Sequence, residues 1–273
     1  DDGPLLVAAL DRVGATVHPE VWDAEVDWSS YDVVVVRSTW DYVPRRDEFL
    51  AWVDRVGTTT TIHNPAEVIR WNTDKHYLAD LATAGVPTVP TRFVDDRDAQ
   101  PGDLRTALEE TALQGGDVVV KPTVSAGSND TLRGAADRLD DAEAHARALL
   151  DAGRDVMIQP YLAAVDEHGE TGMVVIDGRL SHSIRKGPML RGGTAEHEGL
   201  FVLEQIDPRV AEPDEVQLAE QVLAATTAHL GTGELLYARV DVLRDDRGRP
   251  TLLELELTEP SFFLATDPDA AET

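Results

Sequence analysis

Short β-branched runs alternate with amphipathic stretches along the chain, and this alternation constrains the fold more than any other feature. "PLLVAALDRVGA" has the spacing of an amphipathic helix stopped by Gly14. "YDVVVVRSTWDY" predicts a strand ending in a polar and aromatic loop, "RRDEFLAWVDRVG" a helix, and "TTTIHN" a short strand. Helical spacing in "NTDKHYLADLATAG", with Asn72 as its N-cap, and in "PGDLRTALEETALQGG", "DDAEAHARALLDAG" and "PDEVQLAEQVLAATTAHL" separates the extended segments "VPTVPTRFV", "DVVVKP" and "DVMIQPYL". "GMVVIDGRLSHSIRKG" predicts a hairpin turning at Asp177 and Gly178, and "LLYARVDVLRDDRGRPTLLELELTEP" a second one turning at Asp246 to Gly248. The class is α/β: a doubly wound N-terminal layer followed by two α+β lobes. That layer would be completed by a strand ahead of the first helix, and "LATDPDAAET" resembles a helix start, so both ends of the chain are expected to be truncated.

Composition excludes several functions. No apolar run approaches the ~20 residues of a membrane helix, and the first residues lack a signal-peptide pattern. The absence of cysteine excludes disulfides and thiolate metal sites, and makes a cytoplasmic location the default. A formal charge of −27 repels nucleic acid and anionic membranes. The acids are scattered, which suits a salt-rich cytoplasm; the arginine-rich, lysine-poor usage suits a GC-rich genome equally.

Side chains on the last hairpin alternate faces. Leu253, Leu255 and Leu257 point one way; Glu254 and Glu256 point the other, with Asp241 and Arg239 on the matching face of the partner strand. Carboxylates this close need a cation between them, and hard oxygen ligands suit magnesium bridging to phosphates. Taken alone, "LELEL" in so acidic a chain is better explained as a strand with one solvated acidic face.

Only three lysines occur, Lys75, Lys121 and Lys186. Lys121 ends an apolar strand before the small-residue loop "TVSAGSND", where a charge is costly unless paired. Lys75 falls in the first turn of a helix, where the dipole disfavours a cation. Lys186 follows Arg185 at a hairpin end. A snorkelling lysine, a surface lysine and a sheet-edge gatekeeper would explain them one at a time. All three lying in candidate site segments is harder to dismiss.

In this order the segments "NTDKHYLADL", "VVVKPTVSAGS", "VMIQPYL", "GETGMVVIDGRLSHSIRKG" and "RVDVL" with "LELEL" resemble the ATP-grasp superfamily over nearly the whole chain. The nearest flavour is the glutathione synthetase and ribosomal-protein glutamate ligase (RimK-like) branch. More narrowly, "RSTWDY" and "ELELTEPSFFL" are similar to the group that contains the cyclo-ligase of cycloserine biosynthesis.

The resemblance implies an N-terminal domain over 1–71, a lid lobe over 72–160 and a catalytic lobe over 161–273, the two lobes clasping ATP. It implies that Lys75 and Lys121 grip phosphates, under a loop that includes Ser125, Gly127 and Ser128. Gln159, Tyr161 and Leu162 would line the adenine pocket, and Glu170 would touch the ribose or a neighbouring strand. Asp241, Glu254 and Glu256 would hold one or two magnesium ions. Arg185, Lys186 and Arg239 would neutralise the transferring phosphoryl group. The chain departs from the family pattern at Glu256, where asparagine is common, and at Gln159-Pro160, where an acid is common.

The activity implied is an ADP-forming ligase that activates a carboxylate as an acyl phosphate for an amine or similar nucleophile. Its partners are small-molecule carboxylates and amines; the sequence leaves open whether it is a homodimer, and whether ring closure or intermolecular ligation occurs. A nucleotide-binding scaffold without chemistry is the alternative, and retention of the lysine, arginine and carboxylate set argues against it. Substrate contacts are expected from Arg37, Ser38, Trp40 and Asp41, after a strand's C-terminal end, and from Ser261. For Trp40, packing and binding are equally good explanations. The eight histidines show no metal-binding spacing; His197 alone is kept as a site candidate.

Overall fold

The computed structural model describes residues 2–95, 102–190, 197–198, 201–202, 205–233, 235–267 and 270–272. After α1 (Gly3–Arg12), strand β1 (Val33–Val35) runs through a 3₁₀ segment (Trp40–Arg45) into α2 (Arg46–Gly57), and β2 (Thr61–His63) returns parallel to β1. Val34 and Val36 bury one face of β1 against Phe49, Trp52 and Val53 of α2. Tyr42 stacks on Phe49 with ring centres 4.9 Å apart, so this tyrosine is a packing residue.

Helices α3 (Ala66–Asn72) and α4 (Tyr77–Thr83) lead to β3 (Arg92–Val94), α5 (Asp103–Gly115), β4 (Val118–Pro122), β5 (Leu132–Gly134), α6 (Asp140–Asp151) and β6 (Val156–Pro160). Four of these strands form an antiparallel sheet ordered β3-β6-β4-β5. Leu104 and Leu108 of α5 and Ala146, Leu149 and Leu150 of α6 pack on it. Short α7 (Val165–His168) precedes β7 (Glu170–Ile176) and β8 (Arg179–Lys186). Then come β9 (His197–Glu198), β10 (Phe201–Val202), β11 (Ile206–Arg209), α8 (Pro213–Leu230), β12 (Tyr237–Arg244) and β13 (Pro250–Glu256). The larger sheet is five-stranded and antiparallel, ordered β11-β8-β7-β12-β13. The β7–β8 turn has positive φ at both Asp177 and Gly178, the pair of angles a two-residue hairpin turn requires.

The helix expected from residue 72 begins instead at Tyr77. Tyr77, Leu78, Leu81 and Val86 join Leu218 and Val222 of α8 and Leu252, Leu255 and Leu257 under the larger sheet. Burial of each such side chain is worth roughly 1.5–3 kcal/mol. Asn72 is likewise not an N-cap but the last residue of α3. Strand β13 is a buried sheet edge whose free backbone groups need partners. Asn72 Nδ2 donates to Leu255 O at 2.7 Å, Asn72 Oδ1 accepts from Leu257 N at 2.7 Å, and Tyr77 Oη accepts from Leu255 N at 2.9 Å. A polar side chain beside a helix looks the same locally in either role.

Candidate active site

The two sheets face each other across a cleft of about 1170 Å³, including its open mouth. Its ionic floor comes from the last hairpin. Asp241 pairs with Glu254 and Arg239 with Glu256 across β12 and β13, as the alternation predicts. Between Asp241 and Val242 the register shifts, and Leu253 is the extra residue. Leu253 therefore leaves the face of Leu255 and Leu257 and lines the cleft, while Leu252 takes its place in the core.

The cations expected between these carboxylates are supplied by the protein itself. Arg239 Nη2 donates to Asp241 Oδ2 at 2.7 Å and also to Glu256. Lys186 Nζ lies 2.7 Å from Asp241 Oδ2 and 2.6 Å from Glu170 Oε1. Lys75 Nζ lies 2.9 Å from Glu254 Oε1 and donates to Ser125 O at 2.7 Å. Burial opposes ionisation of Asp241, 1% exposed, but Arg239 and Lys186 hold its carboxyl well below the usual range. Glu254, against the same burial, is drawn down to about 2 by Lys75 and Lys121. Burial pushes Glu170 up to about 7 and raises Glu256, with Lys186 and Arg239 respectively opposing the rise.

Lys121 differs from the other cations. It is 9% exposed, lines the cleft, and among the described residues has no hydrogen bond or ion pair. Burial lowers its pKa. Lys75 sits not in the first turn of α4 but in the tight turn before it, where its N–H donates to Thr123 O at 2.9 Å. That removes the conflict with the helix dipole. The loop after β4 lines the cleft through Ser125, Gly127 and Ser128, and the Ser128 hydroxyl reaches Met189 Sδ at 3.9 Å on the opposite wall. Loop residue Asp130 is held by Arg154 Nη1 at 2.5 Å.

The apolar end is formed by Val89, Leu162, Leu243 and Leu253, with Gln159 and Tyr161 beside them. Gln159 Nε2 donates to Thr91 Oγ1 at 2.9 Å. Arg185 is not in the cleft. Neighbouring strand residues point to opposite faces, and its guanidinium donates to His168 O at 2.9 Å on the far side from Lys186. Trp40 lines the cleft and donates to Glu259 O at 3.1 Å. Asp41 instead accepts from Trp22 Nε1 at 3.2 Å, and Ser38 is exposed, so neither reaches the cleft. Ser261 O accepts from Arg239 Nη1 at 3.0 Å. The backbone of His197 lies in β9, and its side chain lies outside the described residues.

Sequence reasoning passes over Glu259. Its carboxyl accepts from Tyr42, and burial, reinforced by Glu256, pushes it up to about 8. Nothing in an acidic sequence separates one more acid from the solvated surface; only its place after Glu256 marks it.

Glu254 and Glu256 line the cleft, and hard oxygen ligands of this kind suit magnesium. Asp241 accepts from Arg239 at both oxygens and from Lys186 at Oδ2. Among the described residues no three carboxylates or histidines form a metal-holding group.

The family model for the N-terminal domain of D-cycloserine synthetase DcsG matches residues 1–64. The cycloserine biosynthesis protein DcsG of Streptomyces lavendulae is 40% identical over 275 residues, 99% of this chain and 90% of that protein. The chain belongs to the DcsG family. The crystal structure of D-cycloserine synthetase DcsG superposes with a TM-score of 0.91 at 38% identity, over 99% of this chain and 91% of that one. D-alanine–D-alanine ligase from Bacillus anthracis, solved with ATP, shares the fold with a TM-score of 0.63 at 15% identity, over 99% and 84%. The fold is ATP-grasp, and this member of the DcsG family is an ATP-grasp ligase. Among the described residues no helix is long and apolar enough to cross a membrane.

Proposed function

We propose that the protein is an ADP-forming ligase that takes ATP and magnesium in the cleft, activates an amino-acid carboxylate and closes a ring. The observation that carries this reading is the unpaired ammonium of Lys121 beside the fully paired Lys75–Glu254 and Lys186–Asp241–Arg239 groups. A buried ammonium with no hydrogen bond or ion pair among the described residues is a site for an anion, and the triphosphate is the anion that the fold accommodates.

Adenine would lie on Leu162, Leu243 and Leu253, with Gln159 and Tyr161 at its edge and Glu170 toward the ribose. Lys75, Lys121 and the loop residues Ser125, Gly127 and Ser128 would surround the phosphates. Glu254 and Glu256 would hold magnesium, which when bound neutralises phosphate charge. The substrate carboxylate oxygen attacks the γ-phosphorus as the bond to ADP breaks. Arg239 and Lys186 stabilise the negative charge on the acyl phosphate. A nitrogen of the same molecule then attacks the carbonyl carbon, phosphate leaves, and the nitrogen gives up a proton. Ring closure is taken from the likeness to a D-cycloserine synthetase. Trp40 and Ser261 would contact the substrate. The reading includes a cytoplasmic location, a homodimer, and three units over 1–71, 72–160 and 161–273 with the nucleotide between the last two.

The test is ADP release with magnesium, ATP and a panel of amino acids, with hydroxylamine as the trap. A hydroxamate from one amino acid supports the acyl phosphate and names the carboxylate. ATP consumption without a hydroxamate, or no ATP binding at low and high salt, overturns the reading.

A further inference from the structure

Cations on the cleft fall into two groups. Lys75, Lys186 and Arg239 each have a carboxylate oxygen within 2.9 Å. Lys121 has none among the described residues, and in the proposed function the phosphates account for it. Arg37 is a further buried cation, behind the residues that line the cleft and close enough to its floor to feel the charges of Arg239 and Glu256. It follows β1 at the C-terminal end of the parallel pair, and its guanidinium stacks on the Phe262 ring with Cζ 3.4 Å from the ring centre. The acid within 4 Å of it among the described residues is Asp2, at 3.7 Å, beyond hydrogen-bond reach. Arg37 Nη1 is buried without a partner among the described residues, and so is the hydroxyl of Thr39, two residues on. Buried donors are rarely left unmet, and two in one turn call for an acceptor.

The placement suits a ligand. Stacking fixes the guanidinium plane and leaves its N–H groups to planar oxygens. Phe262 follows Ser261, whose carbonyl is held by Arg239, and the charges of Arg239 and Glu256 both act on Arg37. Burial lowers the pKa of Arg37 to about 10, so it remains a cation at neutral pH. Asp2 sets the geometry: its carboxylate accepts from the N–H groups of Phe262, Phe263 and Leu264 at 2.6, 3.1 and 2.9 Å, fixing the ring on which Arg37 lies.

We propose that Arg37, with the Thr39 hydroxyl, forms a subsite that reads a carbonyl or carboxylate oxygen of the amino-acid substrate and of its cyclic amide product. Asp2 is a positioning residue for that subsite. The inference rests on the ring-closing ligase reading and adds to it the group that selects the substrate.

The test is calorimetric titration of D-cycloserine into the protein saturated with magnesium and ADP, for wild type, Arg37→Met, Arg37→Lys, Thr39→Val and Asp2→Asn. The expected result is about tenfold or weaker D-cycloserine binding by Arg37→Met, with ADP affinity within about twofold of wild type. Arg37→Lys restores part of the loss, because a point charge lacks the planar fork. Thr39→Val and Asp2→Asn show smaller losses in the same direction. Equal binding by wild type and a folded Arg37→Met overturns the subsite while leaving the ligase reading intact. If Arg37→Met does not fold, Thr39→Val decides: unchanged D-cycloserine affinity overturns the proposal. Wild type that binds ADP but not D-cycloserine overturns ring closure and this inference together.

Discussion

Lys75 and Glu254 meet at 2.9 Å, joining the turn before α4 to the strand that carries the cleft's carboxylates. The pair does two things. It neutralises a carboxylate facing its neighbours Glu256 and Asp241, and it ties the loop after β4 to the floor through Ser125. Lys75→Met leaves Glu254 without its nearest cation. Glu254 keeps about a quarter of its side-chain surface in water, so the expected loss of stability is roughly 1–3 kcal/mol rather than that of a fully buried pair. Turnover should fall by about 100-fold or more. Denaturant unfolding and ADP release check the two parts, and wild-type values in both would refute the role.

Lys121→Met should behave oppositely toward stability. The ammonium is buried and forms no hydrogen bond or ion pair among the described residues, so a methionine of similar length removes a desolvation cost. The ligand-free variant is expected to melt at the wild-type temperature or above it. ATP at a hundredfold excess over Kd stabilises a protein by about 2.7 kcal/mol, and most of that gain should vanish in the variant. Thermal melts with and without magnesium-ATP decide this. A destabilised variant that still gains the full ATP shift would show that Lys121 is a structural cation.

The site was legible where one rule fixed the geometry. Period-two alternation puts Arg239, Asp241, Glu254 and Glu256 on one face, and the strand register agrees. The cost of a lone charge at a strand end marked Lys121. Legibility failed where a local pattern had two solutions. Arg185 and Lys186 are equivalent by composition, and only the pairing of Lys186 with Glu170 decides which faces the cleft. The bulge at Leu253 breaks the alternation without any glycine or proline to announce it. Asn72 has the local signature of a cap, yet it serves a strand far along the chain. Arg37 and Asp2 come together through the turn at Phe262, a tertiary relationship with no periodicity.

Gly172 lies opposite Asp241 on β7, and a Cβ there would stand 3.0 Å from Asp241 Oδ1 and 3.0 Å from Ile184 Cδ1. Both neighbours are fixed, Asp241 by Arg239 and Lys186 and Ile184 by the core. Gly172→Ala is expected to destabilise by about 1–3 kcal/mol and to lower turnover by about tenfold through displacement of the carboxylate. Gly233→Ala, with open space around it, is the control and should change neither. A Gly172→Ala enzyme with wild-type turnover would mean that the position of Asp241 is not critical.

His76 follows Lys75 and joins two elements. Its Nδ1 lies 2.7 Å from Asp74 and its Nε2 3.1 Å from Asp95, just past β3, while its ring stacks on Phe93. The hydrogen bond to Asp74 raises its pKa from 6.5 to about 9; burial opposes this and Asp95 adds to it. The folded state therefore holds the proton more tightly than the unfolded chain. Its contribution is fully present below about pH 6.5 and is lost as the pH rises through about 9. Melting curves of wild type and His76→Gln between pH 6 and pH 10 test the sign. Wild type should be the more stable at pH 6, and the two should converge by pH 10. A gap that stays constant across the range would assign His76 a packing role on Phe93 and no electrostatic one.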